Sequence, residues 1–295
     1  MVSIRPGKVK VGGVELDNHL LLAAGILGTT GASLSRMLTL GAGGVVSKSI
    51  GPVPKEGHAG PCLVVLEDGL LNAMGLPNPS KEFVDELTLL TKKPVIASIF
   101  GGTPEEFGTV AGWFEGKVAG FELNLSCPHA EGYGAAIGTD PDLVEACTRI
   151  VSRTGTPTWV KLTPNVTDIT TIGRAAERGG ASAIVAINTV KAMRISTGLK
   201  RPVLGNRFGG LSGPAMFPVA VRCVYELYES CSIPIIGCGG IATADNVVEM
   251  IMAGARAVEI GSAIYNDVNV FETIKKELYR KEGLETEDLV GCAHV

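Results

Sequence analysis

Eight apolar segments of strand length recur along the chain and alternate with segments of helical periodicity. They are continuous rather than alternating in polarity, which is typical of parallel strands buried on both faces. The predicted strands are His19–Gly25, Gly43–Ile50, Pro94–Gly101, Gly120–Cys127, Thr158–Asn165, Ala183–Thr189, Ile233–Gly240 and Ala257–Ala263.

The intervening segments show helical spacing of apolar positions, and several begin with a capping residue or a proline. Thr103–Pro104 and Asp140–Pro141 are such starts, because proline fits the first turn of a helix and Thr or Asp caps it. The predicted helices are Ser33–Leu40, Ser80–Thr91, Pro104–Phe114, Pro141–Thr154, Asp168–Arg178, Pro214–Ser230, Ala244–Ala253 and Val270–Lys281.

Eight strand–helix units predict a single (β/α)8 barrel over residues 1–295, with an open doubly wound sheet as the alternative. Val9–Val11 and Val14–Leu16, around two glycines, predict an N-terminal hairpin across the barrel floor. Segments 51–78 and 190–213 are too long for plain loops, and both follow a strand. We therefore expect them over the C-terminal mouth, where barrel active sites lie.

Composition excludes several classes of protein. A hydrophobic content of 45% with 19% charged residues excludes a disordered chain. The net charge of −4, without a run of five like charges, predicts neither nucleic acid nor a membrane surface as a partner. No signal peptide or apolar run of about 18 residues occurs, which predicts a cytoplasmic protein. Seven scattered cysteines without a C-x-x-C pair, and four histidines, predict no disulfide framework, iron–sulfur cluster or metal site.

Polar residues collect at the predicted C-terminal ends of the strands. A single Asn or Ser there is more often a turn or capping residue. A lysine inside an apolar strand, however, must reach solvent or meet an anion, because burial of an unpaired ammonium is costly. The two strand lysines favour a bound anion. The residues at these ends are Lys48, Ser98, Asn124, Cys127, Lys161, Asn188, Thr189, Gly239, Gly240, Gly261 and Ser262.

Gly239–Gly240 and Gly261–Ser262 end the last two predicted strands. Exposed backbone N–H groups at this position of a barrel commonly bind phosphate. A tight turn before a helix is an equally good explanation, because glycine also serves simple loop geometry.

Cys127 follows a predicted strand directly and precedes Pro128 and a glycine-rich loop. Most cysteines are inert small hydrophobic residues, and we interpret the other six in that way. Near lysines at the mouth, Cys127 could instead be a nucleophile or a general base. Its position in the sequence does not choose between these roles.

Five motifs, in order, resemble dihydroorotate dehydrogenase across nearly the whole chain. The cysteine at the base position and the lack of an N-terminal membrane helix resemble the soluble class 1 enzymes. Segments 48–52 and 201–206 are similar to the B type, which works with an electron-transfer subunit. The five motifs are Leu71–Asn78, Asn124–His129, Lys161–Asn165, Ile187–Thr189 and Gly209–Pro214.

The resemblance implies an FMN over the barrel mouth with dihydroorotate stacked on it. Asparagine amides can pair with the donors and acceptors of the substrate ring, and Lys48 would meet its negative charge. The implied substrate-binding residues are Lys48, Asn72, Ala73, Met74, Gly75, Leu76, Asn124, Asn188 and Thr189. The implied flavin-contacting residues are Ala24, Lys48, Ser49, Ser98, Asn124, Lys161, Ile187, Gly213, Gly239, Gly240, Gly261 and Ser262.

Roles for individual residues follow from the same resemblance. Cys127 would remove the C5 proton of dihydroorotate while a hydride passes from C6 to the flavin. Lys161 would stabilise negative charge on the reduced flavin ring, and Gly239, Gly240, Gly261 and Ser262 would hold the phosphate. Residues 129–138 could form a lid. Ala24 departs from the family pattern, in which many members have a hydroxyl residue, so one side-chain hydrogen bond to the flavin is in doubt.

The resemblance also implies partners. In the B type, a second subunit with FAD and a [2Fe–2S] cluster takes electrons to NAD, and the assembly is a heterotetramer around a homodimer of this chain. The competing class 1 arrangement is a homodimer that reduces fumarate in the same pocket.

Three other functions stay open. A dihydropyrimidine dehydrogenase subunit shares the motif around Cys127. An aldolase would use Lys161 as a Schiff base. A flavin-binding barrel without enzymatic activity would hold a flavin that no dihydropyrimidine reduces.

Overall fold

A computed structural model describes residues 7–87, 90, 93–125, 137–280 and 286–295. Each predicted barrel strand is present within its apolar segment, except that β16 begins before its predicted start. The strands are β1 Val9–Val11, β2 Val14–Leu16, β3 Leu20–Leu22, β4 Gly44–Val46, β5 Leu63–Leu66, β6 Gly69–Asn72, β7 Val95–Ile99, β8 Gly120–Asn124, β9 Thr158–Leu162, β10 Ala183–Ala186, β11 Val190–Ala192, β12 Ile195–Ser196, β13 Arg201–Pro202, β14 Gly209–Ser212, β15 Ile235–Cys238 and β16 Ala255–Ile260.

The helices follow the barrel strands. They are α1 Gly31–Thr39, α2 Phe83–Glu86, α3 Pro104–Phe114, α4 Pro141–Ser152, α5 Ile169–Arg178, α6 Phe217–Ser230, α7 Ala244–Met252, α8 Val270–Arg280 and α9 Thr286–Leu289. Asp140 and Thr103 cap α4 and α3 through side-chain acceptors, as their sequence predicts.

Two predicted helices differ in the structure. The segment predicted as Ser80–Thr91 starts with a 3-10 turn over Ser80–Glu82, and its α-helix ends at Glu86. The segment predicted from Pro214 likewise begins with a 3-10 turn, Pro214–Met216, before α6. Such tight turns are frequent at helix starts. The short α9 was not predicted.

The eight core strands form a closed parallel barrel in the order β10-β15-β16-β3-β4-β7-β8-β9. Neighbours in the barrel are neighbours along the chain, so the expected (β/α)8 fold is confirmed and the open sheet is excluded. The register places Asn124 and Val185 opposite Lys161, and Cys238 opposite Glu259. These side chains therefore lie near the C-terminal ends of their strands.

The predicted hairpin, β1 paired antiparallel with β2, covers the barrel floor. Val11, Val14 and Leu16 are buried in one cluster with the interior residue Trp159. The indole Nε1 of Trp159 donates to the Gly12 carbonyl at 3.3 Å, and a Cβ at Gly12 would lie 2.6 Å from that nitrogen. The floor is thus closed by apolar packing, and Gly12 permits its close approach.

The two long segments fold into a sheet over the mouth, which sequence reasoning did not predict. Strands β5 and β6 come from segment 51–78, and β11 and β14 come from segment 190–213. They pair antiparallel in the order β11-β14-β6-β5. Both segments therefore cover the mouth as expected, and four of their strands pair there as one sheet.

Across the part of the chain described, no helix is both long and apolar enough to cross a membrane.

Candidate active site

A cavity of about 400 Å³ lies at the C-terminal mouth of the barrel, beneath the four-stranded sheet. This volume falls in the range of small-molecule sites. Most of the residues singled out in the sequence line it. Those predicted residues are Ala24, Lys48, Ser49, Asn72, Met74, Gly75, Leu76, Asn124, Lys161, Ile187, Asn188, Thr189, Gly239, Gly240, Gly261 and Ser262.

A line of hydrogen-bonded polar side chains crosses four strand ends on one wall. The hydroxyls of Ser98 and Ser49 are 2.9 Å apart, and Asn124 Nδ2 donates to Ser49 Oγ at 3.0 Å. Asn188 Nδ2 donates to Asn124 Oδ1 at 3.4 Å, and Asn188 Oδ1 accepts from the backbone N–H of Thr189 at 2.8 Å. These contacts fix the orientation of both amides, so the wall presents defined donors and acceptors.

The opposite wall is formed by the end of β6 and the turn that follows it. Asn72 Nδ2 donates to the Gly210 carbonyl of β14 at 3.3 Å. Gly75 and Leu76 both adopt positive φ, 76° and 58°. A Cβ at Gly75 would lie 2.6 Å from the backbone nitrogen of His58. The turn therefore needs glycine at position 75 both for its φ and for space.

The third region contains the glycines at the ends of β15 and β16. Gly239 and Gly240 have φ of 129° and 73°, and a Cβ at Gly240 would lie 2.7 Å from Phe217 Cβ. The backbone N–H groups of Gly239, Gly240 and Gly261 donate to no acceptor within the described chain. These N–H groups are therefore available to bind an anion, and the absence of side chains on the glycines leaves room for it.

The two lysines differ in their surroundings. Lys48 is 8% exposed and follows β4 at the cavity wall. Lys161 is inside the barrel, with Nζ 2.5 Å from Glu259 Oε2 and 3.6 Å from Glu122 Oε1. Protein carboxylates balance the charge of Lys161, so its burial does not by itself require a bound anion, and a bound anion near it stays a prediction.

Charge and burial act in opposite directions on Lys161. Burial disfavours the ammonium, but the attraction of the carboxyls of Glu122 and Glu259 outweighs it, so the pKa of Lys161 lies well above its ordinary value. Burial raises the pKa of the neighbouring Cys238 thiol to about 12. Cys238 is therefore neutral, in agreement with its interpretation as an inert residue.

Three predicted residues lie behind the cavity wall. Ala73 is 1% exposed and packs with Leu71 and Leu204. Ser98 is fully buried and reaches the wall only through Ser49. Gly213, at a φ of 108°, lies against Gly69. Cys127, together with residues 129–136 of the loop expected to act as a lid, lies outside the described residues.

Several lining residues were missed in the sequence. They are Ala23, Gly25, Ile26, Leu27, Leu63, Leu70, Gly210, Ser212, Met216, Cys238 and Tyr265. Leu63, Leu70, Gly210 and Ser212 belong to the sheet over the mouth. Gly210 and Ser212 lie within one of the five motifs, whereas only the strand pairing could have revealed Leu63 and Leu70. Glu122 and Glu259 were also missed, although an acidic residue inside a continuous apolar strand is a signal comparable to that of Lys161.

Comparisons with known proteins agree with this geometry. The family model described as "Dihydroorotate dehydrogenase" matches residues 7–281. The chain is 54% identical over 290 residues to the "Dihydroorotate dehydrogenase B (NAD(+)), catalytic subunit" of Methanocella arvoryzae, covering 96% of each chain.

Proteins of the same name from two further organisms are also similar. The Methanosarcina mazei protein is 57% identical over 293 residues, covering 96% of this chain and 93% of the relative. The Pyrococcus horikoshii protein is 48% identical over 297 residues, covering 97% of each. The similarity therefore extends through the barrel, the hairpin and the sheet over the mouth.

Proposed function

Since this chain belongs to the dihydroorotate dehydrogenase family, we propose that its cavity binds FMN and dihydroorotate and oxidises dihydroorotate to orotate. The observation that carries the proposal is the convergence of Asn72, Asn124, Asn188 and Lys48 on one cavity at the barrel mouth. Amides match the donors and acceptors of the dihydropyrimidine ring, and an ammonium matches its carboxylate. The reaction belongs to pyrimidine biosynthesis.

The residues of the cavity fit FMN. Backbone N–H groups at Gly239, Gly240 and Gly261 have no protein acceptor in the described chain, as a phosphate site requires. A Cβ at Gly261 would meet only Ala23 Cβ, at 3.4 Å, and one at Gly25 would meet nothing within 4 Å, so both border open space. Ala24 lines the cavity but offers only its backbone to a flavin. When bound, FMN supplies the hydride acceptor.

The chain's own residues have distinct tasks in this proposal. Asn124 and Asn188, held by their shared hydrogen bond, orient the substrate ring. Lys48 attracts the carboxylate of the substrate. Cys127 takes the C5 proton as general base; the family motif assigns it this role, and its placement lies outside the described residues.

The proposed electron acceptor is inferred from the names of the relatives. The names of these relatives include NAD(+) and describe a catalytic subunit. We infer that a second subunit, which carries FAD and a [2Fe–2S] cluster, takes the electrons to NAD. Two copies of this chain would form a homodimer at the centre of the assembly, and the second subunit would bind to that homodimer. Reduction of fumarate in the same cavity is the alternative.

The aldolase alternative is disfavoured by one observation. A Schiff-base lysine needs a lowered pKa, so that its amine is free to attack. Two buried carboxyls hold Lys161 as an ammonium, and its pKa is raised instead. Borohydride with substrate is therefore expected to leave the chain unmodified.

A substrate comparison tests the proposal. The chain reconstituted with FMN, supplied with an artificial electron acceptor, is assayed with dihydroorotate and with dihydrouracil. We expect orotate to form and dihydrouracil to react at least about a hundredfold more slowly, because it lacks the carboxylate that Lys48 binds. Preferred oxidation of dihydrouracil would favour a dihydropyrimidine dehydrogenase. Flavin binding without oxidation of either compound would favour a non-enzymatic barrel.

A further inference from the structure

Three ionisable side chains meet inside the barrel, below the cavity. Lys161 Nζ faces both Glu259 and Glu122, as described above. Glu122 is 0% exposed and Glu259 is 1% exposed. Neither oxygen of Glu122, nor Oε1 of Glu259, has a hydrogen-bond partner within the described chain. One buried ammonium is thus shared by two buried carboxyls.

The cluster cannot be fully ionised without leaving a net buried charge of −1, which is costly in an apolar interior. Burial, and then repulsion from Glu259, raise the pKa of Glu122 well above its ordinary value, against the opposing attraction of Lys161. Burial and charge thus both favour a protonated, neutral Glu122 beside the Lys161–Glu259 ion pair. The cluster as a whole is then neutral.

The surroundings leave little else to balance this charge. On the other strands and the floor, the described interior neighbours are uncharged: Ser98 of β7 lies opposite Glu122, the Cys238 thiol of β15 is neutral, and the others are apolar. Lys48 lies higher, at the cavity wall. Lys161 is the member of the cluster that also lines the cavity. The apolar neighbours are Leu21, Val46, Ile96, Val185 and Ile236.

We propose that Glu122 holds a proton beside the Lys161–Glu259 ion pair, that this cluster positions Lys161 beneath the flavin, and that the reduction potential of the bound flavin depends on the protonation of Glu122. The inference rests on the proposed function for the flavin. Neither carboxyl lines the cavity, so both are positioning residues that act through Lys161.

The coupling follows from electrostatics and linkage. With a proton on Glu122, the ammonium of Lys161 is balanced by the carboxylate of Glu259 alone, and added negative charge on the flavin is tolerated. When that proton is lost, the carboxylate of Glu122 repels this charge and lowers the reduction potential. Because coupling is reciprocal, reduction of the flavin raises the proton affinity of Glu122 by the same factor, expected to be about tenfold.

The first arm of the test needs no flavin. Infrared spectroscopy of the flavin-free chain at neutral pH is expected to show the carbonyl stretch of a buried protonated carboxyl. The band should titrate at high pH in the wild-type chain and disappear in Glu122→Gln. Glu106→Gln is the matched control, because Glu106 lies on α3 and accepts from the Gly102 N–H at 2.7 Å. Absence of the band from the wild-type chain would overturn the proposal.

The second arm measures the reduction potential of bound FMN against pH in the wild-type chain and in Glu122→Gln. The two should agree at low pH, and the wild-type potential should fall below that of the variant as Glu122 loses its proton. A tenfold difference in proton affinity corresponds to a separation of about 30 mV for two electrons. Parallel curves, with FMN bound to both, would overturn the coupling. A chain that shows the band but binds no FMN would instead contradict the proposed function.

Discussion

Cys127 is the residue on which the chemistry of the proposal depends. Replacement by alanine should leave FMN bound, because no flavin-contacting role is proposed for this side chain. Reduction of the flavin by dihydroorotate should slow by roughly 10²–10⁴, the usual contribution of a general base. Stopped-flow absorbance measures this rate. Unchanged kinetics would remove Cys127 from its proposed role.

Glu122 should make the stability of the protein depend on pH. Its folded pKa is raised, so the folded chain keeps a proton that the unfolded chain releases above about pH 4.5. The free energy of unfolding of the wild-type chain should therefore fall, relative to Glu122→Gln, by about 1.4 kcal/mol per pH unit until the folded pKa is reached. Urea unfolding of the flavin-free proteins between pH 5 and 8 measures this difference.

The control for that experiment is Glu106→Gln, which removes a carboxylate outside the barrel interior. Its stability should follow the wild-type dependence on pH. If Glu122→Gln also followed it, the proton assigned to Glu122 would be absent.

Single residues also show where sequence reasoning ends. Lys161 was recognised because a lysine in an apolar strand requires an explanation. Its partner Glu259 lies 98 positions away, on a strand that is distant along the chain. Only the closure and register of the barrel place the two together, and neither can be read from one sequence.

At the scale of elements, the barrel strands were predictable and the sheet over the mouth was not. Each barrel strand lies in a continuous apolar segment, because both of its faces are buried. Strands β5, β6, β11 and β14 have three or four residues, and β14 begins with two glycines. Their stability comes from pairing with distant segments rather than from local pattern.

Strand β14 offers a test of how this sheet supports the site. A Cβ at Gly210 would overlap the Thr189 hydroxyl in the cavity wall. Gly210→Ala should therefore displace Thr189 and raise the KM for dihydroorotate about tenfold, the loss expected for one good hydrogen bond, while FMN affinity is retained.

Gly112→Ala is the matched control, because a Cβ at this exposed position of α3 would meet no atom within 4 Å. It should leave KM unchanged and stabilise the helix by up to about 1 kcal/mol. Equal KM values for Gly210→Ala and the wild-type chain would show that β14 does not position the substrate site.

At the scale of the whole molecule, the floor is closed by the hairpin and the cavity lies at the mouth. Under the proposed function, substrate, product and electrons would all pass through this one end of the barrel. The sequence holds no C-x-x-C pair for a cluster and no dinucleotide fingerprint, so the chain itself offers no carrier that could take electrons onward. This favours a partner subunit as the next carrier.

The acceptor can be identified by reoxidation of the reduced protein. Fumarate should reoxidise the isolated chain slowly, and NAD should be reduced only when a subunit carrying FAD and a [2Fe–2S] cluster is co-expressed. Stopped-flow absorbance follows both reactions. Rapid reoxidation by fumarate, with no NAD reduction in the presence of the partner, would indicate the fumarate-dependent class instead.

The central claim is that this cavity holds a flavin that dihydroorotate reduces. The most direct measurement is the absorption spectrum of the FMN-loaded chain, recorded without oxygen before and after addition of dihydroorotate. The flavin bands should be present at first and should bleach as one orotate forms per flavin. A spectrum without flavin bands after FMN is supplied, or bands that dihydroorotate leaves unchanged, would contradict the claim.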